Sequence, residues 1–211
     1  MALDAGVFYH LTKPFAEEQL SNVMRSAIEQ YEAKCNVLAS LDSYEETVIP
    51  EKEEKTVKER IKQCRIKFRT LQDVEKISHF LAQIYPEPDQ VLIGIYELLM
   101  NAVEHGNLKI GYELKSRLIL QNRWVQEIER RLKDPYYCNN IARVEYELFS
   151  DHIRLIIEDD GDGFEYQSFL NRDLKGVTTP NGRGIAIAQI SSFDEMNYSE
   201  GGKRVTCRFN I

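Results

Sequence analysis

Cysteine is scarce and scattered in this chain: Cys35, Cys64, Cys138 and Cys207 lie far apart with no Cys-x-x-Cys pair. That spacing suits reduced thiols better than a disulfide framework or a zinc site. Nor is there an excess of positive charge. Lys and Arg number 27 against 34 Asp and Glu, a net charge of -7, which argues against an electrostatic grip on DNA or RNA. Long apolar runs are missing too, none approaching the roughly 20 residues of a membrane-spanning helix. The first residues lack the charged-then-apolar pattern of a secretory signal, so the expected location is the cytoplasm, with neither nucleic acid nor membrane as a partner.

What is present is an ordinary globular composition, 43% apolar over 211 residues, enough for one domain and an appendage. The centre of the pattern is Tyr96-Glu97-Leu98-Leu99-Met100-Asn101-Ala102-Val103-Glu104-His105-Gly106-Asn107. From Leu92 to Val103 this helix is apolar almost all round, so it belongs in a core. Glu97, Asn101 and Glu104 interrupt it at spacings of four and three, forming one stripe. Buried polar groups need partners. The stripe therefore faces either water or a ligand carrying cations, such as a magnesium nucleotide.

At the front, Val7 to Leu11 reads as a short buried strand, followed by Thr12-Lys13-Pro14-Phe15 and a helix from Ala16 to Leu41. Ala-Gly-x-x-x-x-Leu-x-Lys-Pro-Phe resembles the last third of a response-regulator receiver domain. In that family the lysine matched by Lys13 contacts the phosphorylated aspartate. That aspartate has no counterpart here, so residues 1–41 are read as a remnant rather than a working receiver. Leu20, Met24, Ala27, Tyr31, Leu38 and Leu41 recur at near-heptad spacing, a seam suited either to a second copy of the chain or to packing on the main domain. Asp42 to Lys58, rich in Glu and Lys, reads as a linker.

From Glu59 to Ile211 the pattern is that of one α+β domain. A strand is expected within Arg60 to Thr70 and a helix over Leu71 to Ile84, with His79 a packed or surface residue rather than a phosphoacceptor. Tyr112 to Asn140 reads as an amphipathic helix covering the sheet, with a docking surface as the alternative. Val144 to Leu148 and Ile153 to Ile157 form a hairpin. Asp159-Asp160-Gly161-Asp162-Gly163-Phe164 follows at once; alone, Asp-x-Gly-x-Gly is a turn, a calcium loop or a place where backbone approaches a ligand. Thr178 to Ile185 is a glycine-rich turn leading into the helix Ala186 to Ile190, a natural setting for phosphate but not a Walker loop. A last hairpin, Glu195 to Tyr198 and Arg204 to Phe209, turns through Gly201-Gly202.

Taken together, Glu-x-x-x-Asn-Ala-x-x-His-Gly, Asp-x-Gly-x-Gly-Phe and Gly-Arg-Gly-Ile resemble the Bergerat-fold (GHKL) ATPases shared by gyrase, histidine kinases and mismatch-repair proteins. Among these the likeness is nearest to the anti-sigma-factor serine/threonine kinases. The resemblance implies a two-layer α/β sandwich over residues 59–211 that binds ATP and magnesium. It implies Glu97 as general base, Asn101 as magnesium ligand and Asp159 as the reader of the adenine amino group. Gly161 and Gly163 would let base and ribose approach. Gly182, Arg183, Gly184 and Ile185 would surround the phosphates, His105 would belong to the same site, and Glu165 to Asn181 would be a mobile lid. Implied partners are an antagonist protein as phosphate acceptor, a sigma factor and a second copy of the chain. Two departures stand out: Lys203-Arg204 replaces a Gly-Thr pair of the final hairpin, and the Tyr112 to Asn140 segment is long. An alternative is a nucleotide-gated module that sequesters a sigma factor with little catalysis.

Overall fold

The structure, a computed structural model, describes residues 16, 18, 20–25, 60–167 and 183–211. The receiver-like strand with Lys13, the 42–58 linker, Cys35, the phosphate turn through Gly182 and most of the expected lid lie outside the described residues.

Strand β1 (Gln63–Phe68) opens the domain, shorter at both ends than the alternation suggested. Helix α1 (Leu71–Ala82) follows through a reciprocal cap: the Thr70 hydroxyl accepts from Asp73 N at 3.1 Å while Asp73 Oδ2 accepts from Thr70 N at 2.9 Å. Two otherwise orphaned helix donors are satisfied at once. His79 on this helix is buried. Helix α2 (Pro88–Asn101) starts at a proline, whose missing N–H costs nothing in a first turn. It runs directly into a π-helical segment, Ala102–Asn107, where Leu108 N bonds back five residues to Val103 O at 2.9 Å. The sequence expectation of one regular helix is corrected here, because an extra residue is inserted into the ladder.

The long Tyr112 to Asn140 pattern is also corrected. It forms two helices, α3 (Tyr112–Leu120) and α4 (Trp124–Lys133), broken where Asn122 takes φ 52°, a backbone setting that Asn tolerates better than most residues. Their polar contacts reach the end of the central helix. Trp124 Nε1 donates to Glu104 Oε1 at 2.7 Å, and Arg131 donates to the carbonyls of Leu108 and Lys109 at 2.6 and 3.0 Å.

Strands β2 (Ala142–Leu148), β3 (His152–Glu158), β4 (Glu195–Ser199) and β5 (Arg204–Asn210) complete a five-stranded antiparallel sheet in the order β1-β2-β3-β5-β4. Between β3 and β4 lies α5 (Arg183–Ile187), continued by a second π-helical segment, Ala188–Ser192. The protein is thus α+β. One face of the sheet is apolar: Val144, Tyr146, Leu155, Ile157, Val205 and Cys207 are buried with Leu92, Ile95 and Leu99 of α2 in one core. At about 1.5–3 kcal/mol for each large side chain removed from water, this layer rather than any surface pair holds helices to sheet. The opposite face carries cross-strand charge pairs, Arg65 with Glu145, Arg154 with Glu147 and Arg204 with Glu158.

Helix is also present at 20–25, where Asn22 Nδ2 donates to Leu120 O at 2.9 Å and Val23 is buried, while the seam residues Leu20 and Met24 stay exposed. Of the two arrangements open to that seam, this short stretch makes its polar contact with the domain. Among the described residues no helix is long and apolar enough to cross a membrane.

Candidate functional site

Asp159 is the first residue beyond β3, and alternation carries its side chain to the apolar, helix-bearing face. Its backbone N–H donates to Lys203 O at 3.1 Å, which ties the strand end to β5. Its carboxylate accepts from Gly161 N at 2.8 Å. Burial raises this carboxyl to about 6, with Asp160 and Glu158 pushing the same way and the Gly161 bond and Lys203 opposing. Against it lies Gly106, the fifth residue of the first π-helical segment. A Cβ on Gly106 would sit 2.3 to 2.7 Å from the carboxyl atoms of Asp159, and one on Gly161 would sit 2.5 Å from Gly106 O.

The sheet end and the end of the central helix therefore meet through glycine. Gly106→Ala is expected to destabilise the fold by about 1–3 kcal/mol, as overpacking does. Urea unfolding monitored at Trp124 measures it, and an unchanged midpoint would mean that the two segments separate freely.

Farther back on α2, Glu97 and Asn101 are half-buried. Gly184 near the start of α5 approaches Glu97 so closely that an added Cβ would lie 2.5 Å from its Oε2. Among the described residues the Asn101 side chain makes no hydrogen bond, and no group of three or more His, Cys, Asp and Glu is placed to hold a metal ion. Glu104 leaves the stripe, which corrects the sequence reading. It is fully buried, held by Lys115 Nζ at 2.7 Å and by Trp124 Nε1.

His105 is exposed, and its Nδ1 lies 2.6 Å from Ile110 O. A carbonyl can only accept, so Nδ1 carries the proton in this bond. Ile185 is buried, its side chain packed in the core. Arg183 opens α5; the role given to its side chain, like that of Gly182, lies outside the described residues. Gly163, at φ 80°, stands against Gly201 O of the β4–β5 turn, where a Cβ would clash, and Phe164 N donates to that same carbonyl at 2.9 Å. Phe164, Tyr166 and Tyr198 then cluster, with Tyr166 and Tyr198 stacked at 5.4 Å.

The residues of the replaced Gly-Thr pair have other partners: Lys203 gives its carbonyl to Asp159, and Arg204 pairs with Glu200 at 3.1 Å and Glu158 at 3.5 Å. Two site neighbours escaped the sequence reading. Gly106 stands in the sequence only as part of a motif and Asn107 carries no motif role; both lie within the π-helical segment after α2, which leaves no compositional signal. No family model matches this chain, and no curated protein matches it either.

Proposed function

We propose that residues 59–211 are a nucleotide-binding domain of the Bergerat class, in which ATP lies between the helix layer and the end of the sheet. Within that class we read the protein as a serine/threonine kinase of the anti-sigma-factor type, acting on an antagonist protein in a partner-switching pathway. The observation that carries this reading is the seating of Asp159 against Gly106. It places a half-buried carboxyl beside the helix that bears Glu97 and Asn101.

The residues present suit a purine triphosphate. Asp159, with one oxygen already fixed by Gly161, keeps lone pairs to accept a hydrogen bond from an exocyclic amino group. Asn101 has an unengaged amide oxygen for a hard cation. Magnesium, when bound, supplies neutralisation of charge on the phosphate oxygens. Glu97 takes the proton from a serine or threonine hydroxyl as that oxygen bonds to the γ-phosphorus and ADP leaves. Gly184 permits the start of α5 to lie against Glu97, so the acid is held where phosphate would arrive.

Calorimetric titration with ATP and magnesium should give binding that is lost in Asn101→Ala. Glu97→Gln should bind ATP like the wild type yet transfer labelled phosphate to an antagonist protein at least about 100-fold more slowly, the usual scale of a general base. Transfer at the wild-type rate would remove Glu97 from that role. Binding without transfer by the wild type would replace the kinase with the nucleotide-gated binding module, and no binding at all would end the nucleotide reading.

A further inference from the structure

We infer that Asn107 is a positioning residue for Asp159: it locks the loop after β3 to the end of the central helix and thereby sets the preference for a 6-aminopurine, an inference that rests on the nucleotide reading above. Asn107 is 2% exposed. Its Oδ1 accepts from Asp160 N at 3.0 Å, and its backbone carbonyl accepts from Asn140 Nδ2 at 2.8 Å. Its own Nδ2 is buried with no hydrogen-bond partner. Turning the amide over would set that donor against the Asp160 N–H, so the observed orientation is the only one that makes the bond to Asp160.

An unpaired buried donor costs free energy, and a residue that keeps one is held for geometry rather than for stability. The geometry at stake is local. Gly106, one residue earlier, abuts the Asp159 carboxyl, and Asp160, one residue later than that acid, is the group Asn107 grips. The loop has other anchors, Lys203 O for Asp159 N and Ile141 N and Arg143 for the Asp160 carboxylate, and all of these lie on the sheet or beside it. Asn107 reaches it from the helix side. Without it, Asp159 stays attached to the sheet and loses its register with Asn101 and Glu97.

The test uses Asn107→Ala and the near-isosteric Asn107→Leu, which removes the unpaired donor together with the acceptor and so preserves folding. Asn140→Ala is the control, because it removes the other bond to residue 107 and leaves the Asp160 bond in place. In the nucleotide-free protein, carbon NMR follows the titration of Asp159, which is faced by Glu158, Asp160, Lys203 and Tyr198. Asn107→Leu should bring the midpoint down from about 6 toward the ordinary carboxylate range as water reaches the loosened loop, whereas Asn140→Ala should leave it in place. In parallel, the ratio of ITP to ATP dissociation constants should fall about tenfold in Asn107→Leu, the scale of one hydrogen bond to a charged group. The 6-oxo purine itself should bind as before.

A midpoint and a ratio both unchanged in Asn107→Leu would overturn the inference. The carboxyl titration needs no nucleotide. If the wild type binds neither ATP nor ITP, the proposed function fails on its own, and the midpoint still decides whether Asn107 positions Asp159.

Discussion

Asp159→Asn is expected to make the nucleotide-free protein more stable at pH 7, by about 1–3 kcal/mol, and to abolish the proposed ATP binding. The stability gain follows from the raised carboxyl. Folding takes this group from 3.8 to about 6, so the folded state holds the proton more tightly than the unfolded chain. The group's contribution is therefore complete below pH 4 and is lost as pH rises through 6. A rise of that size corresponds to roughly 3 kcal/mol at most, reduced in practice because the site is not wholly closed to water.

Asparagine has the same shape and still accepts from Gly161 N, but it has no charge to desolvate. The difference between variant and wild type should be absent near pH 3.5, open between pH 4 and 6 and be constant above pH 7. Urea unfolding across that range, followed at Trp124, measures it. A variant less stable than the wild type at pH 7 would show that Asp159 is a structural acid rather than one kept at a cost. The expected loss of the proposed ATP binding has a separate cause: in that site the amide would offer the adenine amino group a weaker acceptor and bring a donor with it. In the proposed kinase, then, stability and binding trade against one another at a single side chain.

Legibility in the sequence tracked periodicity. The strands β2, β3 and β5 could be read because one face is buried and the other mostly polar, so Val144, Leu155 and Val205 alternate with Glu145, Arg154 and Thr206, with Ile156 the one apolar residue on the outer face of β3. Helix α1 was readable by its apolar spacing, and Thr70-x-x-Asp73 marks its start. What could not be read were features that depend on a single extra residue or on a distant partner. The π-helical turn over Ala102–Asn107 leaves no compositional trace, yet it moves Gly106 onto Asp159. Glu104 shares the helical stripe of Glu97 and Asn101 on paper and ends fully buried, because Lys115 and Trp124 arrive from helices whose break at Asn122 the apolar pattern passed over. The candidate site was legible as a set of motifs; the contacts that orient it were not.

That buried pair underlies the other large expected effect. Glu104 is fully buried, which alone would push its carboxyl up, but Lys115 first, then His105 and the bonds from Lys115 and Trp124, bring it below the ordinary value. Lys115→Met removes the cation and leaves the carboxylate with only the indole N–H. Breaking a buried pair from one side typically costs about 3–5 kcal/mol, and that loss is expected here at pH 7. Its pH dependence reverses between the two proteins. In the wild type the lowered Glu104 contributes stability above its unfolded value, near pH 4.5, which fades as pH falls through the folded one.

In Lys115→Met burial is no longer offset, the folded value rises, and stability declines as pH increases from about 4. The defect should thus be smallest in acid. Glu104→Gln keeps the Trp124 bond and leaves Lys115, already 17% exposed in its side chain, close enough to water to be hydrated, so it should cost less than Lys115→Met. The double variant Glu104→Leu/Lys115→Met, which buries no charge, should recover much of the loss. Because His105 and Gly106 directly follow Glu104, Lys115→Met should also disturb Asp159 and weaken the proposed ATP binding. If Lys115→Met is no less stable than Glu104→Gln at pH 7, the pair is not what holds the turn in place, and the Trp124 bond must carry it instead.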